Sequence, residues 1–287
     1  YAEAYSNRGI ALWELKRLEE AVASYDRAIA IRPDSAGTYS NRGVALQELG
    51  RLVEAVASCD KAIDIKPDYA EAHCNRGLIL QELKRLEDAI VSFDKAIAIK
   101  SDYAKAYHDR GVAQWELMRP NEAVGSFDKA IAINPDDASA YWNKSLVLLA
   151  VGEFRRGWEL YEWRWKNEKT GLKSRNFSQA LWLGAEDISG KTLLLHAEQG
   201  LGDTIQFCRY ARRVKERGAR VILEVPKALL GLLDGLAGVD ALIENGKGLS
   251  VFDYHCPLLS LPLAFKTDLT NIPSPGAYLS VATEKRE

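Results

Sequence analysis

Residues 2–34 read AEAYSNRGIALWELKRLEEAVASYDRAIAIRPD and residues 36–68 read AGTYSNRGVALQELGRLVEAVASCDKAIDIKPD. The second stretch repeats the first at a spacing of 34, and the phase continues without a slip. Gly9, Gly43, Gly77 and Gly111 form one column; Ala21, Ala55, Ala89 and Ala123 a second; Ala28, Ala62, Ala96 and Ala130 a third. Leu15, Leu49, Leu83 and Leu117 hold one apolar slot, and Tyr25, Cys59, Phe93 and Phe127 another. Pro33, Pro67 and Pro135 recur in phase, with Ser101 breaking the series, while Asp34, Asp68, Asp102 and Asp136 follow in every copy. A fixed period of this length signals stacked supersecondary units, none of which buries its apolar face alone.

Each unit reads as two helices. The first spans about residues 2–15 and carries small Gly9 where its neighbour must come close. A short turn follows at Lys16-Arg17. The second spans about 18–31, with Ala21, Tyr25 and Ala28 at i, i+4 and i+7 on one amphipathic face. Pro33 then stops it, because proline cannot continue a helix and disfavours helical geometry in the residue before it. A fifth, degenerate copy occupies about 138–169. It keeps Tyr141, Asn143, Phe154, Tyr161 and Arg164 in phase but places Ser145 in the glycine slot and Gly157 in an alanine slot. Terminal repeats are expected to be atypical.

After Thr170 the phase is lost. Residues 170–190, with Gly171, Gly184 and Gly190, read as a linker, and 191–287 as a second domain. Thr192-Leu-Leu-Leu-His-Ala reads as a buried parallel strand, Ile205 to Arg217 as an amphipathic helix, and Arg220-Val-Ile-Leu-Glu-Val as a second strand. Leu229 to Leu236 supplies another helix, Ala241-Leu-Ile a third short strand, and the run from Phe252 to Pro262 a fourth strand that passes into a loop. This alternation predicts a Rossmann-like α/β domain with a parallel sheet. Trp142, Trp158, Trp163, Trp165 and Trp182 crowd the junction, where large aromatics would join the last repeat to that domain or, on a sharper reading, stack a sugar.

Composition narrows the chemistry. The chain has 287 residues and a net charge of −2, so it lacks a general electrostatic pull on nucleic acid or anionic membrane. No apolar run is long enough for a membrane span, and no signal peptide opens the chain. Cys59, Cys74, Cys208 and Cys256 show neither C-x-x-C spacing nor a disulfide framework, which fits a reducing cytoplasm. No His/Cys/Asp cluster has metal-ligand spacing, so neither metal nor cofactor is expected. The chain opens at Tyr1 without methionine, which suggests a piece of a longer protein.

Two constellations carry chemistry. In the repeats, Asn7, Asn41, Asn75, Asp109 and Asn143 share one first-helix column. A carboxamide both donates and accepts, so the column can grip an extended peptide backbone in the concave groove, or it can simply tie repeats together. The column Arg8, Arg42, Arg76 and Arg110 reads as a solvated or intra-repeat charge line, and His73 and His108 as surface residues. In the tail, Gly200-Leu-Gly-Asp-Thr joins the first strand to a helix. Ligands in such sheets bind outside the carboxyl ends of strands, and the helix start favours an anion. A dinucleotide fingerprint would need a third glycine where Ile205 stands, although Glu224 lies near the distance expected of a ribose-binding acid.

The length and the small/large/proline pattern over residues 2–137 resemble the tetratricopeptide repeat (TPR). An asparagine ladder of this kind lines the groove of protein O-linked sugar transferases, which implies a protein or peptide ligand in the groove. His196-Ala-Glu-Gln-Gly-Leu-Gly-Asp-Thr-Ile-Gln-Phe, with Tyr161-Glu-Trp-Arg-Trp upstream, resembles bacterial tetratricopeptide proteins fused to a GT-B glycosyltransferase of the heptosyltransferase type. That resemblance covers about 138–280 and implies the acceptor-side half of a GT-B fold, with Asp203 as general base for inverting transfer. Asp203 equally suits a helix cap. His196, Glu198, Gln199, Gly200, Gly202, Gln206 and His255 are the further candidates of the acceptor or ligand loop. In that family the second half binds the nucleotide sugar, and it should begin near Pro273-Ser-Pro-Gly-Ala-Tyr-Leu, just before the chain ends. The expectation is therefore a TPR interaction module coupled to a transferase-like domain that is inactive as this fragment, or a non-catalytic scaffold.

Overall fold

The computed structural model describes residues 1–274 and 276–279. Pro275 and residues 280–287 of the expected second domain lie outside the described residues. The chain forms two compact units, Tyr1–Val147 and Leu148–Glu287. The division falls inside the first helix of the fifth repeat rather than near residue 170.

The first unit is a helical solenoid. Its helices are α1 (Ala2–Glu14), α2 (Leu18–Ile31), α3 (Ala36–Glu48), α4 (Leu52–Ile65), α5 (Ala70–Glu82), α6 (Leu86–Ile99), α7 (Ala104–Glu116) and α8 (Pro120–Ile133). Helix α9 (Ala138–Ala150) begins the fifth repeat. The glycine column explains the pairing within each repeat. A Cβ on Gly9 would sit 2.5 Å from the Tyr25 ring, on Gly43 2.7 Å from Cys59 Sγ, on Gly77 2.6 Å from the Phe93 ring and on Gly111 2.8 Å from the Phe127 ring. The large side chain of the second helix therefore lies directly against the backbone of the first. Alanines at 21, 55, 89 and 123 are fully buried on the same seam.

The tight turn between paired helices closes each time with the same two backbone bonds, such as Lys16 N–H to Trp13 O and Arg17 N–H to Leu12 O, both 2.9 Å. This Schellman closure needs a left-handed residue. Gly50 supplies it at φ +74°, whereas Lys16, Lys84 and Met118 adopt φ 59–60° with side chains in place.

Repeats are joined by the arginine column, which is more than an intra-repeat line. Arg42 donates to Ser58 Oγ of its own repeat at 2.7 Å and to Asp26 of the preceding one at 2.6 Å. Arg76 does the same with Ser92 and Asp60, and Arg110 with Ser126 and Asp94. Lys144 continues the series by pairing with Asp128. Helices α1, α3, α5 and α7 also pack in a row, each touching the next, while the second helices stand further apart. The first helices thus line the inner side of the stack, as expected of such solenoids.

The second unit begins with the end of α9 and α10 (Phe154–Tyr161), followed by a 3-10 turn over Glu162–Trp165. Its sheet contains β1 (Ala180–Leu181), β2 (Thr192–His196), β3 (Arg220–Val225), β4 (Ala241–Glu244) and β5 (Tyr254–Pro257), all parallel, in the order β1-β5-β2-β3-β4. Strands β2 and β3 are buried along nearly their whole length, which accounts for their continuous apolar sequence. The expected helix 205–217 instead starts at Leu201 and is broken. Helix α11 (Leu201–Phe207) and α12 (Ala211–Glu216) flank a 3-10 turn at Cys208–Tyr210. Two short helices, α13 (Leu230–Leu233) and α14 (Leu261–Ala264), complete the unit. The expected linker 170–190 holds the edge strand β1 and fully buried Trp182, whose indole donates to Glu186 O at 3.1 Å. Among the described residues no helix is long and apolar enough to cross a membrane.

The glycine seam yields a direct test. Gly77→Ala should lower stability by about 1–2 kcal/mol, overpacking outweighing alanine's better helix propensity. Urea unfolding of Gly77→Ala, Phe93→Leu and the double variant should show a coupling above about 0.5 kcal/mol. Additive effects would mean that Phe93 does not set the approach at Gly77.

Candidate functional site

On the first-helix face the carboxamide column divides into two classes. Asn75 donates to Ser40 Oγ of the preceding repeat at 3.1 Å, and Asn143 is bonded to His108 Nε2 at 2.9 Å. Asp109 approaches Cys74 Sγ at 4.0 Å. These three point back along the stack and tie repeats together. His108 is correspondingly not a surface residue. It is 12% exposed, lies 3.7 Å from Asp137, and sets its ring edge-on to Phe127. Asn7 and Asn41, by contrast, have no hydrogen-bond partner among the described residues. They line a polar recess of about 220 Å³ together with Glu3, Ser6, Ser35 and Thr38.

In the sheet unit, strand order reverses between β2 and β5, because β3 and β4 extend to one side of β2 and β5 returns to the other. The crevice beyond the carboxyl ends at such a reversal is where open α/β sheets take ligands. The chain's own residues fill it here. Arg164, 0% exposed, donates to Glu162 at 2.6 Å, to both oxygens of Glu198 at 3.0 and 3.1 Å, and to Ser260 Oγ at 2.7 Å. Ser260 Oγ in turn donates a hydrogen bond to Glu162 at 2.8 Å. The guanidinium also lies 4.8 Å from the Tyr161 ring and 4.4 Å from that of Trp165. One cation thus links the turn after α10 to the loops after β2 and β5.

That arrangement decides the state of the candidate residues. Burial lifts the Glu198 carboxyl to about 7, against the pull of Arg164. Gln199 donates to Tyr161 Oη at 3.0 Å. At the end of β2, His196 Nε2 is hydrogen-bonded to His255 Nδ1 at 3.2 Å, and Phe177 packs against both rings. Burial, then the neighbouring His255 and Arg175, lowers His196 to about 3, and burial also lowers His255. Both imidazoles are neutral near pH 7. His196 Nδ1 is buried without a partner.

Asp203 lies in the first turn of α11 with no side-chain hydrogen bond among the described residues. The cap position belongs to Gly200, and the Asp203 carboxylate would lie 3.5 Å from a Cβ there. It is close enough to Glu198 for its charge to contribute to that residue's upward shift. Gly202 is exposed, and Gln206 sits apart, lining an aromatic recess with Trp158 and Phe207. Glu224 is not available to a ribose: it is fully buried, ion-paired with Arg175 and accepts from Gly246 N–H at 3.3 Å.

The tetratricopeptide repeat family matches residues 14–50, 46–84, 70–103 and 104–137. Residues 14–137 are tetratricopeptide repeats. Solved structures agree at the level of fold. MamA from Desulfovibrio magneticus RS-1 (residue 41 to its end) has a TM-score of 0.53 at 19% identity, covering 59% of this chain and 96% of that one. PilF of Pseudomonas aeruginosa gives 0.52 at 22% identity, covering 56% and 75%. Protein FlbA of Caulobacter vibrioides is 36% identical over 64 residues, which is 22% of this chain and 11% of that protein.

Two sets of functional residues escape a sequence reading. The inter-repeat acids Asp26, Asp60, Asp94 and Asp128 do recur at 34, so their column was visible, but its partner was not. Arg164 bonds across 34 and 96 residues of chain, and no local pattern announces that.

The histidine pair makes stability depend on pH with a defined sign. A histidine whose folded value lies below its unfolded value contributes stability that is complete above about 6.5 and is lost as pH falls toward 3. Urea titrations of wild type and His196→Gln between pH 7 and 4 should show the wild type losing stability relative to the variant as pH drops. A difference that stays constant would mean that His196 is not buried in neutral form.

Proposed function

We propose that the repeats bind an extended segment of a partner protein along the first-helix face. The recess at Asn7 and Asn41 carries this reading. Two carboxamides without protein partners stand one repeat apart on the inner face, and each offers a donor and an acceptor to a peptide bond. Such bonds grip backbone rather than side chains, so the partner is recognised by its extended form as much as by its sequence. The sheet unit then serves as a rigid platform, since Arg164 and its partners fill the crevice in which a substrate would otherwise sit.

A second reading, the acceptor-side half of a GT-B glycosyltransferase, is favoured by Asp203. Its carboxylate stands in the first turn of α11, the helix that follows β2, and is close enough to Glu198 to raise that residue's pKa. In that reading Asp203 takes the proton of an acceptor hydroxyl, and a further half, not contained in these residues, holds the nucleotide sugar.

The two classes of asparagine separate binding from stability. For a peptide selected against the chain by phage display, Asn7→Ala with Asn41→Ala should weaken affinity about tenfold by calorimetry with little change in unfolding. Asn75→Ala should instead cost about 1 kcal/mol of stability. Unchanged affinity in the first pair removes the recess from the binding face.

For the transferase reading, the measurement is donor-dependent sugar transfer by the longest natural polypeptide that contains this unit. Asp203→Ala should cut turnover at least about a hundredfold. No transfer by the wild type, or undiminished transfer by the variant, rejects Asp203 as the base.

A further inference from the structure

Within the sheet unit a further recess lies along α12 and the turn before it, lined by other residues than the crevice at Arg164. Arg209, Arg212 and Arg213 surround a space of about 400 Å³ that Asn271 and Ile272 help to close. One carboxylate, Glu216, reaches it and is bound by Arg212 Nε at 3.1 Å. Arg209 and Arg213 have no carboxylate partner among the described residues. Arg209 donates to the carbonyls of Gln206 at 2.7 Å and Pro273 at 3.3 Å, and Arg213 to that of Asn271 at 3.4 Å. Ring faces steady them as well, with Arg209 5.0 Å from the centre of Tyr278 and Arg213 5.5 Å from that of Phe265. Elsewhere in the chain Arg42, Arg76, Arg110, Arg164 and Arg175 each meet an acid. Here three guanidinium charges face one carboxylate in a concavity.

Next to it lies a smaller, mostly apolar recess of about 150 Å³, walled by Phe154, Trp158, Phe207 and Tyr210. Arg209 and Ile272 line both spaces. Cavities near this size accept a benzene-sized ring. Trp158 also has a buried indole N–H without a partner, a donor still to be satisfied.

We propose that the two recesses form one binding site for a small phosphate ester with a ring. The arginines hold the phosphate, since guanidinium forks match its oxygens and charge-assisted bonds are the strong ones. The aromatic recess takes the ring, which fixes orientation and adds apolar burial. Glu216 competes with the ligand for Arg212 and tempers the affinity of the empty site. This site is independent of the peptide face and of the crevice filled by Arg164.

The test uses the 287-residue chain at low ionic strength, with phenyl phosphate, inorganic phosphate and phenol as probes, followed by calorimetry. Phenyl phosphate should bind at least about tenfold more tightly than either of the other two, because only it engages both recesses. Arg212→Glu should weaken phenyl phosphate about tenfold or more. Arg212 is 61% exposed, so the fold should survive, and circular dichroism checks that. Glu216→Gln should strengthen binding about threefold by removing the competing carboxylate. Trp158→Phe should keep inorganic phosphate binding while reducing the advantage of phenyl phosphate. Absence of binding below about 10 mM, equal affinity for phenyl phosphate and phenol, or an unchanged constant in Arg212→Glu each overturns the proposal.

Discussion

The distance of closest approach between the two helices of a repeat governs the solenoid. At Gly9, Gly43, Gly77 and Gly111 there is room for a hydrogen and nothing more, because an aromatic ring or a thiol from the second helix already occupies the space a side chain would need. Close-packed interiors tolerate neither a void nor an extra methyl at such a point. Once that contact is set, the buried alanines follow and the pair becomes a rigid wedge. The arginine bridges can then fall in register from one wedge to the next, and the inner face that carries Asn7 and Asn41 acquires a fixed spacing.

The sheet unit depends on a different kind of contact. Its centre of organisation is a buried cation, Arg164, that reaches the turn after α10 and the loops after β2 and β5 together. A buried charge is tolerated only when paired and hydrogen-bonded, and Glu162, Glu198 and Ser260 meet that requirement. In taking these partners Arg164 also occupies the position where parallel sheets of this topology admit ligands. Burial at the end of β2 separately keeps His196 and His255 neutral, with Arg175 adding to the effect on both.

Much of this was legible in the residues alone, and the exceptions have physical causes. The 34-residue period located the paired helices to within a residue, since α2 spans Leu18–Ile31 as its apolar stripe requires. Strands β2 and β3 were equally clear from continuous apolar runs. Strand β1 was hidden because two residues carry no periodicity, and Ala180–Leu181 becomes a strand only by pairing with β5. The break at Cys208–Tyr210 was hidden because helical spacing survives a short 3-10 turn. The division inside α9 has no sequence signal because residues 154–164 keep the repeat phase while α10 and its following turn pack with the sheet unit. For the candidate residues, sequence placed Asn75 and Asn143 in one column with Asn7 and Asn41. Only packing separates those that bind a neighbouring repeat from those left open.

The alternating Ser–Arg–Asp bridges have a consequence for how the array comes apart. Each guanidinium belongs to two repeats, so part of the coupling between neighbours is ionic, whereas the contact inside a repeat is steric and apolar. Coupling between neighbours sets how many repeats melt as a single block. Ionic strength therefore becomes a control on cooperativity: salt screens partly exposed pairs and leaves apolar contacts in place. Added salt should shorten the blocks that melt together only in part, because buried apolar side chains such as Leu12, Leu46 and Ile79 also join neighbouring repeats.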